Sequence, residues 1–123
     1  MKKEKIIIVE DQMIIAMELE LRLQSQDFGN IKIVCSREDA VKLAKNFKPN
    51  IILMDIQLNG KITGIEAASQ IRNFSNTPII YLTANDHLKN DPQLIATNPI
   101  AVLSKPYFEW QLMEMIERAL KKT

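Results

Sequence analysis

Residues Ile51–Asp55 read Ile-Ile-Leu-Met-Asp: four apolar side chains run without a break into a carboxylate, and Gln57, Asn59 and Gly60 follow in a loop. So short an apolar run, bounded by turn residues, predicts a strand buried on both faces, as in a parallel sheet covered by helices on either side. Such a strand delivers Asp55 to its C-terminal end. In open α/β sheets ligands bind outside that end.

The same signal recurs along the chain with helical periods between. Residues 5–9 form a second short apolar strand, ending in Glu10 and Asp11. Residues 12–26 turn helical, with Ile15, Ala16, Leu19 and Leu23 on one face. Asp11 stands just before them, where a carboxylate can accept the free amides of a helix start. Phe28, Gly29 and Asn30 break the helix, and residues 31–34 read as a strand. Ser36 caps the next helix with Asp39 three residues on, and Ala40, Val41, Leu43, Ala44 and Phe47 give it an apolar side. Pro49 and Asn50 lead into Ile51–Asp55.

Beyond the loop, residues 64–74 predict a helix carrying Ile65, Ala68 and Ile71, and residues 79–82 a strand ending at Thr83 and Ala84. Residues 85–98 are the least regular, with a short helix over 92–97. Residues 100–103 form a strand ending at Ser104, Lys105 and Pro106, and a last helix over 108–121 places Phe108, Leu112, Met115, Ile116 and Ala119 on one face. Five strand–helix repeats predict one α/β domain spanning 1–123: a doubly wound five-stranded parallel sheet flanked by five helices, joined by right-handed crossovers.

Composition narrows the functional classes. Lys+Arg total 16 against Asp+Glu 15, so no basic excess points to direct nucleic-acid binding. Lys2, Lys3, Lys5, Lys121 and Lys122 read as solvated ends. The single cysteine, Cys35, excludes an intrachain disulfide and a cysteine metal cluster, and its apolar neighbours predict a small buried hydrophobe. Apolar runs reach about five residues where a membrane span needs ~20, and the N-terminus lacks the apolar stretch of a signal peptide. A cytoplasmic protein without membrane contact is the expectation. The chain is also expected to end after its fifth helix with no DNA-binding domain.

In a parallel sheet all C-terminal strand ends share one edge. Glu10, Asp11, Asp55, Thr83 and Lys105 are therefore expected to meet in one pocket. Crowded carboxylates repel and raise one another's pKa, and a hard divalent cation resolves the repulsion. Mg²⁺ is typically held by one or two carboxylates, waters and phosphate oxygen. A rim lysine can neutralise further negative charge and a threonine hydroxyl can donate to a phosphoryl oxygen. A carboxylate so placed can act as a nucleophile towards phosphorus. Each residue alone has a bland reading as a cap, a turn or a surface charge; the conjunction at matching strand ends carries the chemistry.

With Val9-Glu10-Asp11, Met54-Asp55-Ile56, Gly64-Ile65-Glu66, Leu82-Thr83-Ala84 and Ser104-Lys105-Pro106 in this order, the chain resembles the receiver domain of two-component response regulators from Lys5 to Lys121. The resemblance implies a flavodoxin-like sheet in the order 2-1-3-4-5. It implies that Asp55 accepts a phosphoryl group from a histidine kinase or phosphotransfer protein. Asp11, Asp55 and the backbone carbonyl of Gln57 would hold Mg²⁺, with Glu10 acting through water, while Lys105 and Thr83 would contact the phosphoryl group. A downstream protein or a tethered output domain would read the change.

The sequence departs from that pattern in places. Val102 stands three residues before Lys105, where many receivers carry a switching aromatic; Tyr107, after Pro106, reads as packing. The loop between Asp55 and Gly64 is about two residues longer than in the commonest receivers, Thr63 stands where an Asp often precedes the Gly, and the 85–98 segment is poorer in helix. His87, the only histidine, reads as an exposed loop residue rather than a phosphoryl donor. Trp110 points away from the apolar face of the last helix, as an interface residue can. Met13, Met17 and Met113 read as core or surface filler. Two other functions stand beside the switch. One is a phosphorylation-independent interaction module with this fold. The other is a Mg²⁺-dependent phosphohydrolase, against which Gln57 occupies the position where a second acid is usually needed.

Overall fold

The computed structural model describes residues 2–121; Lys122, expected at the solvated C-terminal end, lies outside them. The elements run β1 (Lys2–Val9), α1 (Met13–Ser25), β2 (Phe28–Val34), α2 (Arg37–Phe47), β3 (Ile51–Asp55), α3 (Thr63–Ile71), β4 (Ile79–Thr83), a 3-10 segment (Asp86–Asn90), α4 (Pro92–Ala96), β5 (Ala101–Ser104) and α5 (Glu109–Lys121). The strands form one sheet in the order β2-β1-β3-β4-β5. Every pairing is parallel, with Val9 opposite Met54, Asp55 opposite Leu82 and Thr83 opposite Ser104.

The unbroken apolar runs are what a sheet covered on both faces requires. Ile6, Ile7, Ile51, Ile52, Leu53 and Met54 are fully buried. Alternate side chains feed two cores. Ile7, Val9, Ile52, Met54, Ile79 and Tyr81 meet Ala40, Ala44, Ala68 and Leu94 on one face. Ile6, Ile8, Leu53, Ile80 and Leu82 meet Leu19, Leu23, Leu112 and Ile116 on the other. Ser36 caps α2 as expected, accepting from the Asp39 amide at 3.1 Å.

Some boundaries differ. α1 ends at Ser25, ahead of Phe28, Gly29 and Asn30, which begin β2 instead of breaking the helix, because Asp27 at φ 72° turns the chain straight into pairing with Lys2 and Lys5. α3 stops at Ile71 instead of 74, where Arg72 turns its guanidinium onto the carbonyls of Ser75, Thr77 and Thr97. The 85–98 segment holds α4 as expected, preceded by the 3-10 turn.

Four burial expectations are corrected. Cys35 is exposed, since it lies just past the end of edge strand β2. Ile15 is 39% exposed, on the rim of a cavity between α1 and Tyr107. Phe108 precedes α5 instead of belonging to its apolar face, is 70% exposed, and stacks on the exposed Trp110 with centroids 6.4 Å apart. Lys5 is no solvated end: it is half-buried, donating to the Phe47 carbonyl at 2.9 Å. His87 is exposed as expected. Among the described residues no helix is long and apolar enough to cross a membrane.

Candidate functional site

Parallel register brings the ends of β1, β3, β4 and β5 to one edge, and the expected residues gather there. Carboxylate oxygens of Glu10, Asp11 and Asp55 lie within 4.8 Å of one another. Lys105 Nζ sits 3.5 Å from Glu10 Oε1 and 3.7 Å from Asp55 Oδ2. Glu10 is buried, whereas Asp11 and Asp55 are half-buried. Beside them opens a cavity of about 230 Å³, lined by Ile15, Leu19, Leu82, Lys105 and Tyr107.

The electrostatics follow from that crowding. Burial pushes the Glu10 carboxyl up to about 7; the Gln12 amide opposes this, and the neighbouring Asp55 charge adds to it. Burial works on Asp11 in the same direction. There the Asn59 amide and the Glu10 carboxyl outweigh it and hold Asp11 below the usual carboxylate range. Three carboxylates beside a single ammonium make an oxygen-rich, negatively charged donor set, the kind that a hard divalent cation takes. The residues present fit Mg²⁺.

Asp11 does not cap α1 as expected. Gln12 is the N-cap residue and makes no side-chain cap bond, while its own amide donates to Glu10 Oε2 at 3.1 Å. The loop after β3 claims Asp11 instead: the Asn59 amide donates to Asp11 Oδ2 at 2.8 Å. Asn59 and Gly60 have φ of 55° and 76°, and Leu58 and Lys61 exchange backbone hydrogen bonds of 2.8 and 3.0 Å around them. This is a two-residue hairpin turn of the type that Asn-Gly favours. The loop after β3 thus contains a tight turn that holds an acid of the site. The Asn-Gly pair signalled the turn, but nothing in the sequence named its target.

Gly64 was legible only as part of a motif, and its physical reason is space. A Cβ there would lie 2.3 Å from the Asp55 carbonyl oxygen and 2.8 Å from Ile56 Cα. The start of α3 packs directly on the end of β3, fixing the backbone that carries Asp55. Gln57 is exposed in the same loop, and its amide donates to Asp55 Oδ1 at 3.3 Å.

Thr83 is buried at the end of β4, but its hydroxyl serves its own loop, accepting from the Asn85 amide at 2.9 Å and donating to the Asn85 carbonyl at 3.3 Å. The Lys105 amide donates to the Thr83 carbonyl at 2.7 Å, which ties the two strand ends together. Val102 pairs with Tyr81 in register, and both belong to the same apolar cluster.

Known proteins share this fold. Residues 6–117 match the response regulator receiver domain family. The chain is 31% identical to the phyllosphere-induced regulator PhyR of Methylorubrum extorquens, over 94% of this chain and 43% of PhyR. It is 29% identical to the transcriptional regulatory protein YvrH of Bacillus subtilis, over 100% of this chain and 52% of YvrH. The chain thus spans about half the length of the curated relatives it matches. The signal receiver domain of a modulated diguanylate cyclase from Desulfovibrio desulfuricans superposes with a TM-score of 0.87 at 30% identity, covering 98% of this chain and 96% of that one. The receiver domain of the sensor histidine kinase PA1611 from Pseudomonas aeruginosa, solved with magnesium in its active-site cleft, superposes at 0.83 with 27% identity, covering 98% and 99%. Sheet order and sequence agree: the chain belongs to the response regulator receiver family of two-component signalling.

Proposed function

We propose that this chain is a single receiver domain over residues 1–123 that works as a phosphoacceptor switch, with Asp55 as the acceptor and a histidine kinase or phosphotransfer protein as the donor. The observation that carries the reading is the meeting of Glu10, Asp11 and Asp55 within 4.8 Å at the sheet edge, with Lys105 Nζ 3.7 Å from Asp55. Asp11, Asp55 and the Gln57 backbone carbonyl would hold Mg²⁺, and Glu10 would act through water. When bound, the ion offsets negative charge on the acids and on the transferred group.

This chain's residues supply the rest. A carboxylate oxygen of Asp55 attacks phosphorus, the P–N bond of the donor phosphohistidine breaks, and its electron pair stays on the imidazole nitrogen. Lys105, already beside Asp55, pairs with the phosphoryl oxygens, and Thr83 donates its hydroxyl to one of them after leaving Asn85. The Gln57 amide, which now donates to Asp55 Oδ1, orients the carboxylate. The product replaces the single negative charge of the Asp55 carboxylate with a doubly charged phosphoryl group at the end of β3 and biases a two-state surface. The domain turns over no external substrate and binds neither nucleic acid nor membrane directly. Its output is a partner protein or a tethered domain, and its compartment is the cytoplasm.

Beryllofluoride with Mg²⁺, followed by amide chemical shifts, tests the reading. We expect shifts at residues 55–57, 83–85 and 105, none of them in Asp55→Asn. No shift in the wild type would favour an interaction module independent of phosphorylation. Steady phosphate release from unrelated esters would favour a hydrolase.

A further inference from the structure

The segment after β4 is held in two unlike ways. At its far end Tyr81, fully buried, pairs its hydroxyl with Thr97 Oγ1 at 2.7 Å, and Thr97 Oγ1 donates to the Leu94 carbonyl at 2.6 Å. Because the Thr97 proton goes to Leu94, Tyr81 is the donor in the pair. The Thr97 carbonyl accepts from Arg72 Nε at 2.7 Å, and Arg72 Nη1 also holds the Thr77 and Ser75 carbonyls at 2.7 and 3.2 Å. The end of α4 is thereby bound to β4 and to the turn after α3 by a network that is buried at Tyr81 and Thr97 and half-buried at Arg72. Such networks rigidify what they join.

At its near end Leu88 packs into the same apolar cluster as Leu94, but the polar ties are surface ones. The Thr83 hydroxyl engages Asn85, Asn85 Oδ1 caps the 3-10 turn through the His87 amide at 3.0 Å, and Ser104 Oγ donates to Asp86 on the surface. Ser104 is the register partner of Thr83 and adjoins Lys105. A Thr83 hydroxyl that turns to a phosphoryl group leaves both the Asn85 amide and the Asn85 carbonyl. Meanwhile the Tyr81 ring, tied down by its hydroxyl, shares the sheet face of Val102.

We infer that switching in this chain is confined to residues 84–91 and opens at the Ser104–Asp86 contact, while Tyr81 and Arg72 keep the C-terminal end of α4 fixed. The aromatic under α4 is an anchor on β4 and not a moving side chain on β5. The surface that changes is the exposed run of Asp86, His87 and Lys89 beside Ser104. The inference rests on Asp55 being the phosphoacceptor.

Amide hydrogen exchange on the full chain tests it, with acetyl phosphate and Mg²⁺ as the phosphodonor mixture and intact mass reporting occupancy. The reporters are the Leu88 and Asp91 amides, bonded to Asn85 and Leu88, against the Thr97 and Asn98 amides, bonded to Leu94 and Ile95. In phosphorylated protein Leu88 and Asp91 should exchange about fivefold faster, the value of one lost surface hydrogen bond, with Thr97 and Asn98 unchanged. Ser104→Ala should show the same pattern without phosphate while accepting phosphate normally, and Tyr81→Phe should bring Thr97 and Asn98 into the faster group. If all four amides change together on phosphorylation, or none does, the confinement is wrong. Should the wild type take no phosphate, the phosphoacceptor reading fails, and Ser104→Ala with wild-type exchange rates would separately refute the Ser104–Asp86 release.

Discussion

The backbone amide of Asn59 donates to Asp11 Oδ2 over 2.8 Å, across 48 residues of chain. This bond joins the turn after β3 to the acid that follows β1, its neighbour in the sheet, and it favours the ionised form of Asp11. It depends on a backbone that only certain residues adopt. Gly60 sits at φ 76° with no atom within 4 Å of where a Cβ would lie. Gly60→Ala therefore meets conformational strain without a clash. We expect a loss of about 1 kcal/mol in urea unfolding, together with a severalfold weaker Mg²⁺ affinity by calorimetry.

Gly64→Ala should behave differently. Its Cβ would meet backbone, the Asp55 carbonyl oxygen at 2.3 Å, and neither partner can rotate away. The expected cost is about 3 kcal/mol, the upper end for overpacking. Urea midpoints of the two alanine variants, measured side by side, check the difference.

Much of this is legible in the amino-acid sequence. Asp55, Asp11, Thr83 and Lys105 were legible because parallel strands covered on both faces leave unbroken apolar runs, and such runs mark their own ends. Asn59 was not, since its contact is made by a backbone amide, which no side-chain pattern reports. The direction of the Thr83 hydroxyl was hidden for a similar reason: its partner is the main chain of Asn85. Cys35 and Phe108 misled because each stands one residue outside an element, where the periodicity that implies burial no longer applies.

Glu10 gives the domain a pH dependence of definite sign. Its carboxyl titrates near 7 in the folded, metal-free protein against 4.5 as the ordinary value. The folded state thus binds this proton more tightly than the unfolded chain. The resulting stabilisation is complete below pH 4.5 and is lost as pH rises through 7. Without metal, chemical unfolding should show a stability that falls as pH rises from about 4.5 to 7, and Glu10→Gln should flatten the curve. Mg²⁺ favours the charged carboxylate, so its affinity should rise over the same interval with release of a proton, seen by calorimetry in buffers of different ionisation enthalpy.

The buried Tyr81–Thr97 pair should respond asymmetrically. Tyr81→Phe removes the donor and leaves Thr97 bonded to Leu94, at a cost of about 1 kcal/mol. Thr97→Val leaves the Tyr81 hydroxyl buried without its acceptor, at about 2 kcal/mol. The double variant should be less destabilised than the sum of the two, which a thermal-unfolding mutant cycle measures.

The most direct test of Asp55 as the phosphoacceptor is intact mass after incubation with acetyl phosphate. With Mg²⁺ present, the wild type should gain one phosphoryl group. Chelating the metal should abolish the gain, and so should Asp55→Asn. An unchanged wild-type mass, or a gain that persists in Asp55→Asn, would contradict the assignment.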